Sequence, residues 1–365
     1  MRLSQRLIFL CLLLAYVAPS RAVIFYSTGD PAHNTNAPAG QLAGSGWQWQ
    51  GHWGGFLGTA ISSRHFIAAT HVGGDVGHPF LLNGRTHTTV AKFSDTGTDL
   101  TIWEVTPPFT DWAQLYTNTT EVGQNFVVIG RGVQRGAPIQ VGTLNPVTKG
   151  WGWGTHDGIL RWGENKFEEV LDANGNIVAA TLAGGTVLRA TFDANGGANE
   201  CALVYGDSSG AAFIKDGDHW KLAGINYAVD GPYNTAPTGP GFQAAIFDQG
   251  GLYKGGENRW TYTPDLPTAQ AGGFYLSRIS VRAEWIRSII GDPGVPSPAP
   301  ILEYSTAVNG TFTTDTSATF DSVNNLFRTP NPHQHRFFRI RATAPMEITN
   351  LSVNGSDLVL NCRFP

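Results

Sequence analysis

Gly206-Asp207-Ser208-Ser209-Gly210 is a short polar stretch between two apolar runs, Ala202-Leu203-Val204-Tyr205 and Ala211-Ala212-Phe213-Ile214. A serine hydroxyl is a poor nucleophile at neutral pH. It becomes effective when a tight turn presents it beside a general base, with backbone N–H groups aimed at the oxyanion that forms. Two other contexts supply the missing groups. His71 follows the apolar run ending Ala68-Ala69-Thr70, and Asp99 opens the apolar segment Leu100-Thr101-Ile102. Each context is weak alone, and the order His, Asp, Ser is what makes the set specific. His52 and His65 are alternative bases that lack the Ala-Ala-Thr context. Asp95 rivals Asp99, and Ser209 rivals Ser208.

These groups need a scaffold of short strands. Phe56–Ser62 and His65–Ala69 read as strands joined by a turn at Ser63-Arg64. Further strands are expected at Thr88–Phe93, Leu100–Val105, Phe126–Gly130, Ile177–Leu182 and Val187–Phe192. Turn signals lie at Asp172-Ala173-Asn174-Gly175 and Asp216-Gly217. Many short strands at this spacing argue for an all-β barrel or sandwich. One helix is expected, with Ser280 as N-cap, Val281, Trp285 and Ile289 on one face, and Gly291 and Pro293 as the stop.

Together these residues resemble the chymotrypsin/trypsin-like serine proteases, in a bacterial-type secreted form. The resemblance rests on Ala68-Ala69-Thr70-His71, Asp99-Leu100-Thr101-Ile102, Gly206-Asp207-Ser208 and the Gly130-Arg131-Gly132 strand end. Phe274–Ser280 with Trp285-Ile286 resembles the family's closing strand and helix. It spans about residues 50–291. It implies two six-stranded antiparallel β-barrels with the site in the cleft between them. It also implies peptide-bond hydrolysis through an acyl-enzyme, without metal or cofactor. Ser208 would attack the carbonyl carbon, His71 would relay the proton and Asp99 would orient the imidazole. The N–H groups of Gly206 and Ser208 would form the oxyanion hole. Ala202 would form the base of the primary specificity pocket, with Asn226, Tyr227 and Ala228 along the substrate backbone. No acid stands at 202, so an apolar or small side chain before the scissile bond is expected.

The chain departs from the family pattern at Ser209 and Ala211, where glycine and proline are usual, and it lacks an Arg-Ile-Val-Gly-Gly activation site. In the family a new N-terminal amine pairs with the acid before the serine, here Asp207. Either cleavage after Ala22 exposes a Val23 amine for that role, or Asp207 finds an internal partner. The second is the working expectation, because a buried carboxylate without a partner is costly.

Composition bounds the rest. Arg2 and Arg6, the apolar run Leu7–Ala18 and Ser20-Arg21-Ala22 read as a signal peptide over 1–22. The run is short for a membrane span, so a secreted, periplasmic or cell-surface location is expected. Removing 1–22 takes three arginines and no acids, and leaves 21 basic against 28 acidic residues, net −7. That excess argues against a nucleic-acid partner and leaves a protein or peptide substrate as the expected one. A protease domain is expected over 23–292, a proline-rich linker over 293–300, and a small β module over 301–365 that would bind a cell-surface or sorting partner. Cys201 and Cys362 remain after the signal and could pair.

Weaker features have plainer explanations. His333-Gln334-His335 lacks further metal ligands. Asp172–Asn176 lacks the closing glutamate of a calcium loop. Trp47, Trp49 and Trp53 read as barrel packing. A protease-like binding protein with an impaired site, and an esterase using the same triad, are the rival functions.

Overall fold

The computed structural model describes residues 23–256, 259–291, 300–321, 325–331, 335–341 and 346–363. The expected signal segment 1–22, nearly all of the expected linker 293–300, and His333-Gln334 lie outside the described residues.

The first half closes into a six-stranded barrel. Its order is Gln50–Trp53, Phe56–Ser62, His65–Ala69, Leu100–Thr106, Arg85–Ser94 and Pro79–Leu82, which returns to Gln50–Trp53. All six pairings are antiparallel. The barrel fills with apolar side chains, among them Trp53, Phe66, Phe80, Trp103 and Val105. Trp53 is thus a core residue, as the packing explanation of the tryptophan cluster expects. Trp49 instead reaches out to Asp111 Oδ2 at 2.8 Å and packs near Phe213.

The second half is a curled eight-stranded sheet. Its path runs Arg161–Lys166, Asn125–Gly130, Ala211–Asp216, His219–Val229, Gly273–Arg278, Val187–Thr191 and Glu169–Leu171. Gln114–Leu115 joins His219–Val229 in parallel. The first six strands of the path curl until their ends face each other. Side chains make that seam: Asn165 Nδ2 donates to Thr191 O at 2.7 Å and to Cys201 O at 3.0 Å. The architecture is the all-β, trypsin-like one that the resemblance implies, although only the first barrel closes by backbone pairing.

Between the two halves lies a second apolar layer. Leu57, Ile67, Ala69, Leu100 and Ile102 from the first half meet Ile129, Ala211, Phe213, Leu222 and Ile225 from the second. A buried ion pair ties the segment before Asn125–Gly130 to the strand Gly273–Arg278. Arg278 Nε and Nη2 donate to the two oxygens of Glu121 at 2.8 and 2.6 Å, and both side chains are fully buried.

Two local expectations change. Ile177–Leu182 is not a strand. Apart from one bridge between Ile177 and Leu171 it runs as turns, with Ile177 and Leu182 exposed. Val178 and Ala180 pack against the core, but Ile177 and Leu182 find no cover, so β-propensity alone does not hold the segment extended. Ser280 does not cap the helix, because its hydroxyl donates to Glu121 Oε1 at 2.5 Å. A 3₁₀ turn, Ser280–Arg282, comes first, and the α-helix spans Ala283–Ile290 and buries Ala283 and Ile286. Cys201 and Cys362 are both buried and unpaired.

Beyond the helix, Ile301–Ser305, Thr313–Thr314 and Phe337–Arg341 form one small sheet. Thr319–Asp321, Leu326–Pro330, Glu347–Asn354 and Asp357–Arg363 form another. They share a core of Leu302, Phe327, Leu358 and Leu360.

Candidate active site

The serine turn is held from inside. Asp207 is fully buried. Its Oδ1 accepts from Gly132 N at 2.7 Å and its Oδ2 from Val204 N at 2.8 Å, and the backbone of Val23 and Arg131 also hydrogen-bonds the carboxyl. Among the described residues no Lys, Arg or His side chain forms a salt bridge with it. Burial pushes its pKa up to about 7, against the hydrogen bonds that favour the anion. The Gly-x-Gly strand end exists to fit this group: a Cβ on Gly130 or Gly132 would lie within 2.8 Å of Asp207 Oδ1.

Both arrangements considered for Asp207 therefore meet at one carboxyl. It has internal partners, all backbone N–H groups, and Val23 is among them. Val23 is buried and has φ +35°, and the strand Ile24–Phe25 that follows pairs with Cys201–Ala202 just before the serine turn.

Around Asp207 the chain turns sharply, with Gly206 at φ +91° and Ser209 at φ +67°. Ser208 between them is half-buried, and its hydroxyl makes no hydrogen bond to the described residues. The N–H groups of Gly206 and Ser208 likewise donate to none of them, whereas those of Asp207, Ser209 and Gly210 are all engaged. Two uncommitted N–H groups flanking an uncommitted hydroxyl are what an oxyanion site requires.

His71 and Asp99 come together as expected. Asp99 Oδ1 accepts from His71 N at 2.9 Å, and Asp99 Oδ2 pairs with His71 Nδ1 at 2.5 Å. Strand pairing produces this contact: Ala69 faces Leu100 in the barrel, and Thr70 N donates to Asp99 O at 3.0 Å. The carboxylate thus fixes one ring nitrogen and leaves Nε2 for chemistry. The rival groups are engaged elsewhere. His65 Nδ1 pairs with Ser62 Oγ at 2.8 Å, and burial lowers its pKa to about 4. Asp95 accepts from Thr98 Oγ1 and forms an ion pair with Arg282 at 2.9 Å.

No hydrogen bond joins Ser208 to His71 among the described residues. The histidine strand and the serine turn are linked one residue along: Ala69 N donates to Ser209 Oγ at 2.8 Å, across 140 residues of sequence. Ser209 N donates in turn to Asn226 O at 2.9 Å. The residue that departs from the family's glycine is therefore the tie between the two halves. The sequence flags Ser209 as a rival nucleophile and as a departure from the family's glycine, but not as a tie; its fully buried hydroxyl is committed to Ala69.

A cavity of about 140 Å³ opens beside Ser208, lined by Trp153, Leu203, Val204, Tyr205, Asp207, Asn226, Tyr227, Ala228 and Val229. Asn226, Tyr227 and Ala228 line it as the sequence suggests. Ala202 does not: it pairs with Ile24 and is packed into the core, so Leu203 and Val204 form that wall. A register shift between Asn226 and Ala228 turns Tyr227 outward, where its ring meets His71 edge-on at 6.1 Å. Trp153, on the strand Val147–His156, stacks against Tyr205 and carries no sequence signal for this role.

The described residues contain no cluster of three or more His, Cys, Asp or Glu placed to hold an ion. At Asp172 the carboxylate is occupied by the N–H groups of Asn174 and Asn176, as a turn acid would be. Among the described residues no helix is long and apolar enough to cross a membrane.

No protein-family profile and no curated protein matches the chain. Among solved structures it is similar to mouse neuropsin, described as a serine protease expressed in the limbic system of the brain. The match has 14% identity over 68% of this chain and 96% of that one, with a TM-score of 0.38.

Proposed function

We propose that the chain is a secreted serine endopeptidase using His71, Asp99 and Ser208. The observation that carries this reading is the serine turn: an uncommitted hydroxyl at Ser208 between uncommitted N–H groups of Gly206 and Ser208, opening on a cavity. Ser208 Oγ attacks the scissile carbonyl carbon while His71 Nε2 takes its proton. Asp99 holds the other ring nitrogen and stabilises the imidazolium. The new oxyanion accepts from Gly206 and Ser208 N–H; loss of one such donor costs about 2.7–4 kcal/mol in barrier. His71 then protonates the leaving amine, and water releases the acyl group by the same steps reversed. The reaction uses no metal or cofactor. In this reading residues 1–22 direct export, and the β module over 301–365 serves attachment or sorting.

One observation favours a second reading. The missing Ser208–His71 hydrogen bond fits a protease-like binding protein with an impaired site, although catalytic hydrogen bonds often tighten only with substrate. A fluorophosphonate probe separates the two. Covalent labelling at Ser208, lost in Ser208→Ala and strongly slowed in His71→Ala, supports the enzyme; no labelling of folded wild-type protein refutes it. Turnover of esters with none of peptides would instead indicate an esterase.

A further inference from the structure

The hairpin Val133–Val141 and Val147–His156 is tied to the serine turn, because Val133 N donates to Tyr205 O at 2.9 Å. Its second strand lies between Val133–Val141 and Ala244–Ile246, so pairing holds it on both edges. Trp153 stands on that strand opposite Arg135, and its own N–H donates to Gln243 O at 3.3 Å. The indole stacks on the Tyr205 ring with centroids 6.2 Å apart and packs against the main core. Trp153 is therefore a fixed part of the wall of the cavity beside Ser208. Leu203, Val204, Ala228 and Val229 add further apolar wall, and the exposed Tyr205 and Tyr227 stand at its mouth. Among the described residues no Lys, Arg or His lines it. Its one carboxyl, on Asp207, has both oxygens committed to backbone N–H groups. The cavity holds about 140 Å³. An apolar protein cavity of about 150 Å³ is known to take one benzene molecule.

We propose that Trp153 sets the size limit for the side chain before the scissile bond, confining it to an apolar group of about the bulk of a benzene ring: leucine, methionine or phenylalanine. This rests on the endopeptidase reading above. Alanine leaves most of the space empty and forfeits its contacts. A tryptophan side chain exceeds the space while the Trp153 indole is in place, and a fixed wall yields only at the cost of strain. Lysine or arginine would bury a cation where the one carboxylate is already engaged, and glutamate would bury an anion with no cation to meet it. Removing the indole enlarges the cavity without adding charge, so the size limit moves and the preference for apolar groups stays.

One methylene more or less in an apolar pocket changes kcat/KM by about 10–200-fold. The test is a fluorogenic peptide series, identical except for Ala, Leu, Met, Phe, Trp, Lys or Glu before the scissile bond. The expected result is kcat/KM for Leu, Met or Phe about 100-fold above Ala and about tenfold or more above Trp, with Lys and Glu lower still. Trp153→Ala should raise the Trp-to-Leu ratio by about tenfold or more. The ratio is read within one protein, so a smaller folded fraction cancels; Trp153→Leu, which keeps an apolar side chain on the strand, gives the same reading if the alanine variant does not fold. A Trp-to-Leu ratio unchanged in the folded variant overturns the assignment, as does wild-type cleavage after Trp, Lys or Glu as fast as after Leu. Cleavage of none of the peptides by the wild type, with no fluorophosphonate labelling, defeats the endopeptidase reading instead, so the two failures are distinct.

Discussion

Asp207 should respond sharply to the chemistry of the chain's start. Its carboxyl is fully buried and surrounded by backbone N–H groups, one of them from Val23. A carboxyl held near 7 rather than near its ordinary 3.8 destabilises the fold by about 4 kcal/mol once it is ionised in both states. Val23 meanwhile has a positive φ that β-branched residues rarely adopt. Cleavage after Ala22 would remove both penalties. A free Val23 has no preceding peptide to constrain, and its ammonium would face the carboxylate. Hydrogen bonds to a charged group contribute about 1.5–3 kcal/mol. For a chain of this size that raises the melting temperature by about 2–5 °C.

The comparison is between a protein beginning at Val23 with a free amine and the same protein extended by Gly-Ser. Calorimetry and peptide turnover are followed from acid to alkaline pH. The sign is fixed by the raised pKa. The extended form is fully stable below the unfolded carboxyl's range and loses stability as pH rises through about 7. The free-amine form keeps that stability until its ammonium deprotonates. The gap should open above about pH 4 and reach its full size near pH 7. Coincident melting curves and equal turnover at every pH would show that the amine plays no part and that backbone N–H groups alone sustain Asp207.

Ser209→Ala leaves Ala69 N–H buried without an acceptor, at a cost of about 1–3 kcal/mol; kcat should fall more than KM rises, and unchanged melting and kcat would count against the tie. Arg278→Met strands Glu121 in the interior and should destabilise by about 3–5 kcal/mol in urea unfolding; a loss below about 1 kcal/mol would mean that the pair is dispensable. Burial raises the Glu200 pKa to about 8, so its share of stability is present in acid and is lost as pH rises through that value. Glu200→Gln should therefore flatten the fall in melting temperature between about pH 5 and pH 8, and an unaltered slope would rule the residue out as its source.

The first barrel was largely legible because its strands carry dense local apolar signal. Phe56–Ser62 and His65–Ala69 stand where they were expected, and Leu100–Val105 extends by one residue to Thr106. His71 and Asp99 were legible for the same reason, each lying at the end of such a strand. The hairpin Val133–Val141 and Val147–His156 was not foreseen; its strands expose much of their surface and contain glycines that blur alternation. Long-range roles left no mark either. Nothing near Glu121 announces Arg278, and nothing near Ser209 announces Ala69, because the partners lie 157 and 140 residues apart and meet only in the folded chain. Ser280 shows the converse failure: its local pattern fits a cap, but a buried carboxylate competes for the same hydroxyl.

The Ala69–Ser209 contact also makes a native gauge of cleft motion. The Ala69 amide proton is shielded by a hydroxyl from the opposite half, so it exchanges with solvent deuterium only when the halves part. Its exchange rate, set against those of Phe66 and Trp103 in the barrel interior, would separate opening of the cleft from unfolding of the barrel. One backbone proton thus reports how often His71 and Ser208 lose their alignment.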